Sequence, residues 1–182
     1  LKHRGTWVDP TIMIFEGFFL NDEPQLPPAI VPYEGTLPPV LERGLKTGGY
    51  PLFDDVTRDD FRKSYEKMVA LIGKLNEAQV PIVAGTDGMG LELVREIEIY
   101  EIAGMSKAQA LQTATINPAR LVGIAERTGS ITKGKEADLL LVEGDVSVDL
   151  GALRRVHTVV SDGYVMDGNE LRAAAGFTGM PK

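Results

Sequence analysis

The stretch Val80-Pro81-Ile82-Val83-Ala84-Gly85-Thr86-Asp87-Gly88 decides how this chain is read. It starts as an apolar run without alternation, the pattern of a strand covered on both faces. It ends in a carboxylate flanked by Gly85 and Gly88. Taking a carboxylate out of water is costly unless hydrogen bonds or a cation compensate. Two roles for Asp87 follow. It caps the next helix, with Thr86-Asp87-Gly88 as ordinary turn chemistry. Or it stands past the C-terminal end of a parallel strand, where α/β proteins bind ligands and closed barrels keep catalytic side chains. There the glycines leave room for backbone or ligand. The carboxylate then binds a metal ion, or moves a proton from water to a leaving group.

The flanks of this stretch are helical. Upstream, Thr57 reads as an N-cap with Asp59 and Asp60 in the first turn. Phe61, Tyr65, Met68, Val69, Ile72 and Leu75 then share one face, which predicts a helix over 58–78. Downstream, Leu93, Val94, Ile97 and Tyr100 predict a helix over 90–103 with Gly104 at its C′ position. Ser106 and Gln109 have capping-box spacing and open a third helix. It is expected to end at Asn117, because the residue before Pro118 is pushed out of helical geometry. Pro118 to Gly123 reads as one further turn. Apolar strands among amphipathic helices indicate an α/β protein.

The two ends of the chain differ in texture. Thr6 to Phe15 is rich in β-branched and aromatic residues and reads as a buried strand, bent at Pro10. Pro and Gly dominate from 16 to 56, which reads as one long loop with room for a short helix at 39–44. From Gly129 the pattern turns to β: a strand over 138–142, then two short strands joined at Ser161-Asp162-Gly163. The tail, 173–182, is expected to fray.

The totals set limits. The chain has 182 residues, 43% of them hydrophobic, enough for a real core. Its net charge is -7 and no Lys/Arg cluster follows a helix face. That argues against nucleic acid and anionic membrane as partners. There are no cysteines, so a disulfide framework, a thiolate metal site and a thiol nucleophile are excluded. No apolar run approaches the length of a membrane span. The opening Leu1-Lys2-His3-Arg4 is not a signal peptide.

The order of motifs is more specific than any one of them. Gly85-Thr86-Asp87 is followed by a helix, then by AGMSKAQALQTATINPARLVGI (103–124), TGSITKGKEADLLLVEGD (128–145) and VHTVVSDGYVM (156–166). This order resembles the C-terminal third of the amidohydrolase superfamily. It is most similar to the branch of imidazolonepropionase-like enzymes and prolidase-like metal-dependent dipeptidases. The resemblance covers about residues 80 to 168, and HRGTWVDPTIMIF (3–15) looks like that branch's approach to the seventh barrel strand.

The resemblance implies an α/β fold: the last two β/α units of a (β/α)8 TIM barrel plus the C-terminal part of a small β-sandwich. It implies barrel units over 1–125, sandwich strands over 126–172 and a tail over 173–182. It implies that Asp87 ligates a divalent metal, expected to be zinc, and acts as the proton shuttle. The implied reaction is hydrolysis of a C–N bond in a cyclic amide or dipeptide-like amide by metal-activated water. The family's other metal ligands are not matched. The two histidines, His3 in a turn and His157 in the sandwich, are not counted as ligands. A catalytic zinc needs about three protein ligands, and a whole barrel takes about 250 residues. The chain is therefore expected to be the C-terminal part of a longer protein, with little or no metal of its own. Its uncovered apolar faces would be stabilised by the missing N-terminal part or by homo-oligomer formation. The segment 16–56 would leave the rim that carries Asp87. Tyr33, Tyr50, Phe53 and Met89 are candidates for the substrate-pocket wall, and Arg43 for binding a substrate carboxylate. A non-catalytic α/β binding or assembly module without metal is the alternative. A phosphate-binding barrel has less support, because the glycines lack phosphate-loop spacing and the carboxylate would repel the ligand.

Overall fold

The computed structural model describes residues 1–182 apart from the side chain of Lys2. The helices are α1 (Met13–Leu20), α2 (Pro39–Leu45), α3 (Arg58–Glu77), α4 (Leu93–Ile102), α5 (Lys107–Thr113), α6 (Ile116–Leu121) and α7 (Gly168–Ala174). The strands are β1 (Leu139–Val142), β2 (Val156–Ser161) and β3 (Tyr164–Asp167). No described helix is long and apolar enough to cross a membrane.

Local chemistry sets several boundaries. Thr57 and Asp60 cap α3 reciprocally: Thr57 Oγ1 accepts the Asp60 N–H at 3.2 Å, and Asp60 Oδ2 accepts the Thr57 N–H at 2.9 Å. Its apolar face buries Tyr65 and Ile72. Ser106 and Gln109 cap α5 in the same way. Asp162 and Gly163 both take positive φ, 48° and 79°, in the two-residue hairpin between β2 and β3. That is the geometry that matches strand twist, and a glycine adopts it without strain. The sheet is antiparallel in the order β1-β2-β3, with a bulge at Leu141/Val142.

Five expectations are corrected. The first strand is far shorter than 6–15. Val8 forms a single parallel bridge to Ile82, and from Met13 the chain is helical. The cause is distant: the Glu96 carboxylate accepts the N–H groups of Ile12 and Met13, which a helix start leaves unpaired. The segment 80–84 is extended but makes only that one described bridge. The Ile82 carbonyl accepts from Asn117 and the Ala84 N–H donates to the Thr113 carbonyl, so helices occupy its other bonding groups.

The third helix breaks at Thr115 (φ -128°, ψ -92°), not at Asn117. Pro118 sits in the first turn of α6, where its missing N–H has no helical partner to lose. The segment 16–56 is not a loose loop. It contains the C-terminal part of α1 and all of α2, and it buries Leu26, Ala29, Ile30, Tyr33 and Leu37. The tail does not fray. Phe177 packs on Tyr33 with ring centroids 6.4 Å apart, and the N–H groups of Thr178 and Lys182 donate to the Thr36 and Pro32 carbonyls.

One core runs through these pieces, with Ile12, Ile30, Ile97, Ile99, Tyr100 and Leu150 fully buried. Beside it lies a charged network. Arg95 on α4 grips Glu16 on α1 with two hydrogen bonds, 2.6 and 2.9 Å. Glu98 accepts from both Arg95 and Arg154. The network joins α1 and α4 to the turn Leu150–Arg154 ahead of β2.

Candidate functional site

The bridge between Val8 and Ile82 brings two strand ends to one side of the molecule. The Val8 N–H donates to the Pro81 carbonyl at 3.0 Å, and the Val83 N–H to the Val8 carbonyl at 3.0 Å. Each extended segment ends in an aspartate shortly after. Asp9 and Asp87 line the same cavity, of about 490 Å³, together with Thr11, Ile14, Phe15, Phe18, Tyr50 and Thr86. Phe15 and Phe18 lie three residues apart on α1 and so share a face. The Tyr50 ring stacks on Phe18 at 4.4 Å, and its N–H donates to the Phe18 carbonyl.

Two glycines make room for carboxylates. A Cβ placed on Gly85 would lie 2.8 Å from Asp9 Cγ, so the Asp9 carboxylate rests on the strand that leads to Asp87. Thr11 Oγ1 donates to Asp9 Oδ1 at 3.0 Å and fixes its direction. A Cβ on Gly88 would lie 2.8 Å from Glu92 Oε1. Glu92 is buried under the turn, and its Oε2 has no hydrogen-bond donor. Asp87 itself is exposed at φ +48°, a conformation that Asp tolerates better than most residues. It does not cap α4, whose N-cap is Glu92 without a side-chain bond.

A buried carboxylate ties both rim segments together. Glu96 Oε2 accepts the Met13 N–H at 2.7 Å. Glu96 Oε1 accepts the Ile12 N–H at 3.0 Å and the Tyr100 hydroxyl at 2.6 Å. That hydroxyl lies 3.3 Å from the Val83 carbonyl. Burial pushes Glu96 above its ordinary 4.5, against the pull of its three donors, and the nearby Asp9 charge adds to the rise. Burial, then Glu96, pushes the Tyr100 hydroxyl strongly upward.

The amidohydrolase family model matches residues 55–166. The chain belongs to the amidohydrolase family. It is similar to an adenine deaminase of Rubrobacter xylanophilus, 37% identical over 70 residues, covering 38% of this chain and 11% of that protein. An imidazolonepropionase of Desulfotalea psychrophila is 40% identical over 57 residues, covering 31% of this chain and 14% of that one. The crystal structure of a Xaa-Pro dipeptidase with methionine bound in its active site superposes with a TM-score of 0.63 at 25% identity. That match covers 92% of this chain and 36% of the other. The chain thus matches a minor share of each relative's length. Its α/β fold is that of amidohydrolase proteins over this portion.

The expected site residues of this amidohydrolase chain separate in space. Tyr50 joins Asp87 in the cavity. Tyr33 lies elsewhere: it is 7% exposed, donates to the Leu91 carbonyl at 3.2 Å and packs against the tail. Arg43 is exposed in the last turn of α2, and Met89 and Phe53 are exposed; none of the three lines the cavity. His3 is exposed, and His157 on β2 contacts Thr158 Oγ1 at 2.8 Å. Sequence reasoning missed Asp9, Phe15 and Phe18. The usable signal for Asp9 was a second apolar run ending in aspartate, Trp7-Val8-Asp9, parallel to the run that ends in Asp87.

The donor set bears on a metal. Among the described residues no three His, Asp or Glu side chains are grouped to share an ion. The cavity offers two carboxylates and no basic lining residue. Of these, Asp87, exposed on the rim turn, is a hard oxygen donor that suits a divalent cation and fits part of its ligand shell, while Asp9 is bonded to Thr11.

Proposed function

We propose that this chain forms the last two β/α units of a (β/α)8 barrel, residues 1–125, and the C-terminal strands of a composite β-sandwich, 126–172. In the intact protein it would serve a metal-dependent hydrolase that cleaves a C–N bond in a small cyclic amide or dipeptide-like substrate. One observation carries this reading. A parallel bridge between Val8 and Ile82 leads to Asp9 and Asp87 lining one cavity, which supports a site at the C-terminal end of barrel strands, where barrel enzymes keep their chemistry. Family membership supports the same reading.

Asp87 would hold a divalent cation, zinc being the expected one, with the remaining ligands coming from outside this chain. When bound, such an ion polarises an amide carbonyl and makes water acidic near neutral pH. Asp87 would orient the attacking water, accept its proton and return it to the leaving nitrogen. Its placement on a turn at the open rim leaves the carboxylate reachable by water and substrate. The aromatic side of the cavity would exclude water from the substrate's apolar part.

The test uses the full-length protein with zinc and a panel of cyclic amides and dipeptides. Wild type should hydrolyse members of the panel and stop when the metal is chelated. Asp87→Asn should lower turnover by about 10²- to 10⁴-fold, the usual contribution of a positioned acid–base group. Near-normal turnover by that variant would remove Asp87 from the mechanism.

A further inference from the structure

The lining of the cavity beside Asp87 combines aromatic rings with charge. Phe15, Phe18 and Tyr50, which stacks on Phe18, supply the rings, and Asp9 supplies a carboxylate. The Asp9 carboxylate is held in place by the Thr11 hydroxyl and by the bare backbone of Gly85. Among the described residues no basic side chain lines the cavity. Arg58 lies behind the wall, bonded to the Tyr50 carbonyl and paired with Asp22 at 3.1 Å, so its charge is already matched. A carboxylate and aromatic rings lining one cavity together attract a cation, through charge and through the ring quadrupole. An anionic group would meet two carboxylates and be repelled. A volume of about 490 Å³ suits a small ligand.

We propose that Asp9 and the Phe15–Phe18–Tyr50 wall form a specificity pocket for a cationic amine borne next to an apolar group on the amide substrate. The proposal rests on the amidohydrolase reading above, with Asp87 engaged at the reacting centre and Asp9 left to meet the substrate. Asp9 selects the charge. The rings select the flat apolar part.

The full-length protein is titrated by calorimetry with benzylamine and, separately, with benzyl alcohol, which carries the same ring without the charge. Wild type binds benzylamine about 10-fold or more tightly than benzyl alcohol, the scale of one charge-assisted hydrogen bond. Asp9→Asn brings the ratio close to one. Added salt weakens benzylamine binding and leaves benzyl alcohol binding nearly constant. Equal binding of the two probes by wild type overturns the proposal, as does an Asp9→Asn variant that keeps the preference. If that variant does not fold, the salt series on wild type decides, and salt-independent benzylamine binding overturns it. A parallel assay compares an aminoacyl amide carrying a free amine with its N-acetylated form. Wild type hydrolyses the free amine faster; equal rates overturn the proposal. No hydrolysis of either, with the benzylamine preference intact, would defeat the amidohydrolase reading and uphold the pocket.

Discussion

The carboxylate of Asp9 lies directly over the backbone of Gly85, with Asp9 Cγ 2.8 Å from where a Gly85 Cβ would be. The contact joins the two strand ends that frame the cavity. Gly85→Ala therefore acts on Asp9 more than on Gly85 itself. The expected outcome is a displaced carboxylate, with benzylamine affinity falling as in Asp9→Asn. Stability should drop by about 1–3 kcal/mol, the usual cost of overpacking. Urea unfolding beside probe calorimetry checks both. An alanine variant with unchanged affinity would show that Asp9 does not depend on this contact.

Asp87 separates stability from activity because its backbone is left-handed, at φ +48°. Asp87→Gly should be as stable as wild type or more so. Asp87→Ala should lose about 1 kcal/mol, since alanine adopts that conformation at a cost. Both variants should be inactive in the full-length protein. Thermal melts ranked against turnover test this. A melting order with alanine above glycine would mean that the turn relaxes out of the left-handed region.

Glu96 gives a pH signature. Burial raises its pKa above the ordinary 4.5, so the folded state holds its proton more tightly than the unfolded state. The stability it contributes is fully present below the unfolded value and is lost as pH rises through the folded one. Glu96→Gln cannot titrate. The stability of wild type relative to Glu96→Gln should therefore shrink as pH rises from below 4.5. Urea midpoints of both proteins across pH measure it, and a gap that widens with pH would reverse the sign assigned here. Glu96→Ala should cost more than about 3 kcal/mol, because two N–H groups and the Tyr100 hydroxyl lose their acceptor.

Arg95 neutralises a carboxylate that has little water to fall back on: the Glu16 side chain is 6% exposed. Arg95→Met leaves that charge buried and should cost about 3–5 kcal/mol. Adding Glu16→Gln removes the stranded charge and should recover part of the loss. A double-mutant cycle by chemical denaturation reads the coupling. Additive effects would mean that the two groups do not depend on each other.

Much of the chain was legible where the cause is local. Thr57 with Asp60, Ser106 with Gln109, and Asp162-Gly163 each fix a boundary through bonds within a few residues. Misplaced elements had distant causes. The largely apolar stretch 13–20 suits a strand or a helix, and Glu96, more than 80 residues away, tips it to helix. Pro118 reads as a helix stop, yet a first-turn position tolerates it. The tail looks unstructured until Thr36 and Pro32 offer it carbonyls.

The same division holds at the rim. The amino-acid sequence by itself determined the family, the helices flanking Asp87 and the presence of a carboxylate after an apolar run. Only the tertiary structure decided that Asp9 shares the cavity and that Tyr50 belongs to its wall while Tyr33 and Arg43 do not. The physical reason is range. Caps and turns act within one turn of backbone. The strand bridge, the Gly85 contact and the Glu96 clamp join segments some 70 residues or more apart, and they exist only once the core has closed.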